Sequence, residues 1–218
     1  MRIFSVVILW VGVIFLPVSH ASFYELKKYR SSVGLTFSQL EQEMPYNLWN
    51  VTTRSLGLRI DYGYADDIKL YFIPGLSFTD TGGEDIPPSP TAGAGVLHFG
   101  RVSGTKLEYY IGGAGSVAYQ QIRPIHFIGM QLGGYIGLLA RLGTDSTLKL
   151  VPFCGVHYNH AWINVSTTSK TLLDDTDYLF NGSAGIEVEI SPSMSVMVEW
   201  AFSFEETDSL FALQVNFH

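Results

Sequence analysis

A two-residue alternation of apolar with small or polar side chains runs through most of this chain and limits what it can form. The closing stretch, Ser209–His218, shows the pattern without interruption. Its large apolar residues share one parity: Phe211, Leu213, Val215 and Phe217. A period of two places alternate side chains on the two faces of a β-strand. The stretch is therefore predicted to be a strand with one apolar face, and that face needs something apolar to lie against.

The same period recurs along the chain and predicts an all-β protein. We identify ten such segments: residues 30–40, 54–65, 67–78, 92–102, 105–120, 125–141, 147–161, 178–190, 193–204 and 209–218. The segment at 125–142 is rich in glycine with a spacing of four, which also fits a packed helix. Gln131 and the parity of the large residues favour a strand there. Short connections such as 65–67 and 191–193 alternate with longer ones at 41–53, 79–91 and 163–177.

The first 21 residues have the features of a secretory signal. Arg2 precedes the apolar run Ile3–Val18, and Ser19–Ala21 supplies small residues at a cleavage site. We expect cleavage after Ala21, which leaves 22–218 as a single domain. The alternative is an uncleaved membrane anchor, but the run is short for a membrane span.

Composition narrows the class of protein further. Charged residues make up 15% of the chain, against about 25% in ordinary globular proteins. Without Arg2 the chain carries 12 basic and 20 acidic residues, a net charge of −8. This balance argues against a nucleic-acid partner, which needs basic patches. Cys154 is the single cysteine and can form no internal disulfide.

The two faces of the predicted strands differ in a way that indicates which one is outside. The large face is nearly free of charge and has aromatic residues near segment ends: Tyr62, Tyr64, Tyr109, Tyr119, Trp200 and Phe217. The other face consists of Gly, Ala and Ser with scattered charges. This pattern favours lipid outside and a crowded polar interior. The alternative is a soluble secreted lipocalin-like barrel, in which the apolar face lines a binding cavity.

The charges on the small face are the main candidate site. They are Arg59, Asp61, Lys69, Glu108, Arg141, Lys149, Glu187, Glu189 and Glu199. Buried charges need partners, and side chains fill the interior of a barrel of about eight strands. We expect a filled interior held by salt bridges, with a narrow ion-conducting pore as the alternative.

In hydrocarbon, strands can satisfy their backbone groups only by closing into a barrel. We therefore predict a transmembrane antiparallel up-and-down β-barrel of 8–10 strands, with 10 favoured, short periplasmic turns and longer extracellular loops. In this architecture the whole mature chain resembles bacterial outer-membrane β-barrel proteins of the OmpA/OmpX-like small-barrel type. The resemblance implies that Phe211, Leu213, Val215 and Phe217 form the signal read by the barrel-assembly machinery. His218 departs from the family pattern, because there the aromatic residue is last. Outer-membrane lipids and lipopolysaccharide are the other partners that the resemblance implies.

Catalytic residues of outer-membrane enzymes were sought as an alternative. Lipid A and phospholipid hydrolases of this class resemble one another in a His-x-Ser pair on one strand, but here Asn159 follows His157 where serine is needed. Rim proteases use acidic residues with a histidine to activate water. Asp174, Asp175 and Asp177 might be expected near His157 or His160, and the same carboxylates are a weak signal for a divalent cation. No catalytic constellation is complete, so we expect a structural, adhesion or surface-interaction protein, or a narrow pore, without cofactor or metal.

Overall fold

The computed structural model describes residue 23 and residues 27–43, 50–80, 86–122, 125–143, 148–167, 170–204 and 209–218. The predicted signal at residues 1–21 and its cleavage site lie outside this part of the chain.

Ten strands follow one another along the described chain. They are β1 Ser31–Glu43, β2 Asn50–Ala65, β3 Ile68–Asp80, β4 Ser89–Arg101, β5 Leu107–Ile122, β6 Ile125–Ala140, β7 Lys149–Thr167, β8 Thr171–Ser191, β9 Met194–Ser203 and β10 Ser209–Phe217. Each predicted segment corresponds to one of them. Among the described residues, no helix has the length and apolar character needed to span a membrane.

The strands form one closed antiparallel barrel in up-and-down order. Each strand pairs with its neighbours in sequence, and β10 pairs with β1 from Val33↔Phe217 to Glu41↔Ser209. Closure gives the last strand a partner on both sides, since β9 pairs with its other edge. The predicted all-β barrel with ten strands is confirmed.

One predicted connection is wrong. Residues 163–177 were expected to form a long loop, but β7 runs to Thr167 and β8 begins at Thr171. Polar residues occupy both parities there, so the sequence lacks the apolar signal of a strand. The two strands instead satisfy their backbone groups by pairing with each other, from Ser166↔Thr171 onwards.

The two ends of the barrel are named here for later use. The proximal end holds Ser31, Phe217 and the two-residue turns at 66–67 and 192–193. The distal end holds the connections 44–49, 81–88 and 168–170. Both the first and the last strand therefore begin or finish at the proximal end.

The two faces of the sheet have opposite character. On β2, Leu58 and Ile60 are exposed on the outside, while Arg59 and Asp61 between them are fully buried inside. The aromatic residues Tyr62, Tyr64 and Phe217 are exposed near the proximal end. The large face is thus outside and the small, charged face is inside, as the sequence predicted.

The interior also contains a core of large residues that the sequence analysis did not predict. It consists of Phe23, Tyr71, Leu97, Tyr110, Ala114, Tyr135, Leu139, Val151, Phe153 and Met197. Inward-facing glycines make room for these side chains, because a Cβ atom at Gly95 would overlap Tyr71 and one at Gly137 would overlap Tyr110. The many glycines of the inner face are therefore partners of its aromatic residues.

Candidate functional site

Arg59 and Asp61 form a buried ion pair inside the barrel. They lie two residues apart on β2 and so share the inner face. Arg59 Nε donates to both carboxylate oxygens at 2.9 Å and Nη2 donates to Oδ1 at 2.7 Å. The guanidinium also lies 4.2 Å from the centre of the Tyr71 ring. This geometry provides the hydrogen bonds that two desolvated charges require.

Glu187 on β8 is the centre of a second group. It accepts hydrogen bonds from Ser195 Oγ at 2.6 Å and from Asn216 Nδ2 at 3.4 Å. The backbone N–H of Phe23 also donates to it, at 2.5 Å. One carboxylate thus joins β8, β9, β10 and the segment that precedes β1.

A third group lies nearer the proximal end. Arg141 Nε donates to both oxygens of Glu108 at 3.2 Å, and its Nη1 lies 3.7 Å from Glu189. Lys149 Nζ is 3.1 Å from Glu189 but its side chain is half exposed. Solvent screens such a pair, so it contributes little to stability.

The remaining two predicted interior charges are also enclosed. Lys69 is buried with its Nζ 5.8 Å from the centre of the Phe99 ring, and Glu199 is buried on β9. All nine charges proposed from the sequence lie on the inward parity of their strands. They are distributed over the groups above instead of forming one continuous chain of salt bridges along the described residues.

An aromatic layer separates the charged proximal half from the distal half. Tyr71 and Tyr135 approach through their hydroxyls at 3.3 Å, and Tyr135 donates to the carbonyl of Val96 at 3.1 Å. Tyr110 packs beside Tyr135, with ring centres 6.3 Å apart. The signal for this layer was present in the sequence, because these tyrosines share the parity of Lys69, Glu108 and Gln131.

The described interior contains two cavities, one on each side of this layer. The distal one is about 30 Å³ and is lined by small polar residues such as Thr36, Ser55 and Thr91. That volume is enough for one or two water molecules. The proximal one, about 400 Å³, opens at the barrel end beside Lys69, Arg101 and Arg141. Tyr71, Tyr110, Tyr135 and Arg59 occupy the interior between them.

A histidine–serine pair lies across two strands, where sequence spacing could not show it. His157 Nε2 on β7 is 2.7 Å from Ser183 Oγ on β8, and both side chains are buried. The His157 ring stacks on Tyr135, with 27° between the ring planes. The pair has the donor–acceptor geometry of a base and a nucleophile, but it is enclosed in the barrel wall.

The acidic cluster expected at a loop rim lies on a strand. Asp174, Asp175 and Asp177 are opposite Asn164, Ile163 and Ala161 in the β7–β8 ladder, and their side chains lie outside the described part of the structure. His157 points into the barrel, whereas His160 packs against Trp162 with ring centres 4.0 Å apart. No group of three His, Cys, Asp or Glu side chains within the described residues could hold a metal ion.

The proposed assembly signal lies on the outer face of β10. Phe211 and Phe217 are exposed there, and Leu213 and Val215 share their parity. His218 is half buried beyond the strand: its N–H donates to Ser193 O at 2.9 Å and its Nε2 is 3.2 Å from Ser195 Oγ. Burial, with a contribution from the charge of Lys69, lowers the pKa of His218 to about 4.

No protein-family model and no curated protein matches this sequence. Solved structures similar to it include Ail, the attachment invasion locus protein of Yersinia pestis, at 11% identity and a TM-score of 0.39, covering 87% of this chain and 96% of that one. The N-terminal barrel domain of Pseudomonas aeruginosa OprF has 13% identity and a TM-score of 0.37, over 87% and 98%. An outer-membrane channel from Pseudomonas putida F1 has 10% identity and a TM-score of 0.49, over 90% and 98%. At these values the likeness concerns the barrel fold and says nothing of function. The predicted resemblance to small outer-membrane barrels is confirmed at the level of fold, by the closed ten-strand topology.

Proposed function

We propose that this protein is an integral barrel of the bacterial outer membrane that acts as a closed scaffold for its distal end. The observation that carries the proposal is the exposed apolar exterior around a buried, charged interior. Leu56, Leu132, Ile136, Phe72 and Trp200 are among the large apolar side chains that face outward and are exposed. In water they would form an apolar surface far larger than monomeric soluble proteins expose, whereas lipid makes the same surface favourable. A soluble lipocalin-like barrel would have the reverse arrangement.

Orientation and export follow from this proposal. With a signal removed after Ala21, the mature chain begins at Ser22 in the periplasm, so the proximal end faces the periplasm and the distal end faces outward. The exterior contacts outer-membrane lipids and lipopolysaccharide. The outer face of β10, with Phe211, Leu213, Val215 and Phe217, is presented to the assembly machinery. Fractionation of the cell envelope should place the processed protein in the outer membrane, with Ser22 as its first residue by mass spectrometry.

A closed lumen is favoured over a pore. The Arg59–Asp61 pair and the Tyr71, Tyr110 and Tyr135 side chains occupy the interior between the two cavities, and no open path accompanies them in the described residues. The protein refolded into a planar bilayer should therefore show no steady conductance above that of protein-free membrane. Stable ion-conducting steps would contradict the scaffold and support the narrow pore instead.

The distal end is the part that we propose meets the environment. Strands β7 and β8 are the longest of the described strands, at 19 and 21 residues, and the wall is highest there. An adhesion or surface-interaction role would use this hairpin. Cells that carry a version lacking residues 164–174 should keep folded barrel in the membrane but lose binding to any surface that the full protein recognises.

The enzymatic alternative has one favourable observation, the His157–Ser183 contact of 2.7 Å. We propose a structural role for this pair, because both groups are buried and the stacked Tyr135 ring covers the imidazole. Phospholipid, lipid A and a peptide library should show no turnover above a denatured control. Turnover that disappears in both His157→Ala and Ser183→Ala would make the barrel wall an active site.

A further inference from the structure

Phe23, which precedes the first strand, lies inside the barrel. Its side chain is only 1% exposed. The ring packs between Phe153, at 4.5 Å between centres, and Tyr110, at 4.9 Å, with Phe99 at 6.3 Å. This is a fitted aromatic site formed by β4, β5 and β7, and a residue from outside the sheet fills it.

The backbone of Phe23 is held as firmly as its side chain. Its N–H donates to Glu187 Oε2 at 2.5 Å, and the other oxygen of Glu187 is bonded to Ser195. Hydrogen bonds to an ionised acceptor are roughly twice as strong as neutral ones. The site therefore recognises two features, an aromatic ring and a nitrogen-bound proton next to it.

A chain reversal at the proximal end directs this segment back to the barrel. Arg30 N–H donates to Lys27 O at 3.0 Å, and Tyr29 N–H donates to Gly63 O at 2.7 Å. Tyr29 has a φ of 62°, a left-handed conformation that costs about 1–3 kcal/mol for a residue with a side chain. Contacts that stabilise the reversal offset this cost.

The charges of the interior leave a place for one more cation. The set proposed from the sequence has four cations and five carboxylates: Arg59, Lys69, Arg141 and Lys149 against Asp61, Glu108, Glu187, Glu189 and Glu199. Cleavage after Ala21 would create a new α-ammonium on Ser22. Three covalent bonds separate that nitrogen from the nitrogen of Phe23, so it would lie within roughly 6 Å of Glu187 Oε2.

We propose that Glu187, with the ring of Phe99, Tyr110 and Phe153, is a binding site for the processed N-terminus of this same chain. Phe23 closes the proximal half of the lumen as a plug, and the α-ammonium neutralises the excess carboxylate. Removal of the signal peptide is then a condition for closure. An unprocessed chain would lack the ammonium and would have to lead an apolar segment of 21 residues out past the plug.

The first test uses the unsubstituted mature chain, refolded in detergent. The Ser22 amine is treated with an amine-reactive ester, and its modification is followed by mass spectrometry of the N-terminal peptide. It should react at least about tenfold more slowly in the folded barrel than in urea, because it is accessible only when the segment opens locally. Glu187→Gln should speed the reaction in the folded state, whereas Glu41→Gln, on the exposed part of β1, should not. Equal rates in the folded barrel and in urea would overturn the proposal.

The second test measures closure and does not depend on the amine. Val151 is fully buried in the core around Phe23, so Val151→Cys in a Cys154→Ser background reports entry of a water-soluble maleimide. Phe23→Ala should increase its labelling at least about tenfold, and Tyr29→Ala, an exposed residue of the same segment, should not. If Phe23→Ala does not fold, as judged by the mobility shift between boiled and unboiled samples, Phe23→Leu replaces it. Labelling that is unchanged by Phe23 substitution would overturn the plug. Both tests use detergent, so they remain valid if the proposed membrane location is wrong.

Discussion

At the scale of single residues, the interior depends on glycines that lie beneath aromatic side chains. Tyr110 occupies the space above Gly137 and Gly155, and Tyr135 occupies the space above Gly112. On the outer face, Gly134 has no such neighbour, since a Cβ there would come no closer than 3.6 Å to the carbonyl of Gly112. The same amino acid therefore has different roles on the two parities.

This difference predicts the effects of a matched pair of substitutions. Gly137→Ala should lower the free energy of unfolding by about 1–3 kcal/mol, because its Cβ meets Tyr110 and the backbone of Cys154 in a packed interior. Gly134→Ala should be neutral or stabilising by up to about 1 kcal/mol, since the unfolded chain loses freedom. Urea unfolding in lipid vesicles measures both. Similar losses for the two would mean that parity does not determine packing.

The Arg59–Asp61 pair makes a second prediction at this scale. Removing one partner leaves a buried charge, so Arg59→Met or Asp61→Leu alone should cost about 3–5 kcal/mol. The double variant should cost less than either single one, because the remaining desolvated charge is gone. The same unfolding assay completes the cycle. Additive losses would show that the two side chains are not coupled, contrary to their contacts of 2.7–2.9 Å.

At the scale of elements, the sequence predicted all ten strands because each has one face toward an apolar medium. The prediction failed at 163–177, where polar residues on both parities conceal the β7–β8 hairpin. It also missed the pairing of His157 with Ser183, since a contact across strands depends on a register that only the folded ladder defines. The aromatic core around Tyr110 was missed for the same reason. Its space comes from glycines on neighbouring strands, and periodicity within one strand does not show them.

The closing strand gives a prediction about pH. His218 is half buried against Ser195, and its pKa falls from an ordinary 6.5 to about 4. Between these values the unfolded chain binds more protons than the folded one, so His218 makes stability rise with pH over this window and fall as the pH drops from 6.5 toward 4. Replacing it by glutamine should reduce that slope.

The measurement compares unfolding of the wild type and His218→Gln at pH 7 and pH 5. His98→Gln, at a half-exposed histidine of the outer face, is the matched control and should keep the wild-type slope. Carboxylates also titrate in this range, but they are common to all three proteins. An identical pH dependence in wild type and His218→Gln would contradict the buried position of the ring.

At the scale of the whole molecule, charge is concentrated inside and apolar surface outside. The interior reaches this arrangement by pairing its charges and by filling the remaining space with aromatic residues. The N-terminal segment adds Phe23 to that filling, so the sheet and the chain before it close the lumen together. A barrel built in this way is stable in lipid and closed to solutes, which suits a scaffold better than a channel.

The outward faces provide the test that separates a membrane barrel from a soluble one. Leu132 and Val198 lie on the outside of β6 and β9, and both are exposed. In a bilayer, Leu132→Arg or Val198→Arg should each cost about 2–4 kcal/mol, because a charge near the midplane must be desolvated. Leu132→Met keeps an apolar side chain at the same place and should cost little, and Ala201→Ser, on the inward parity of β9, should do the same. Unfolding in lipid vesicles gives these values. A soluble barrel would respond in the opposite sense, since arginine on its surface would be tolerated and would raise its solubility without detergent.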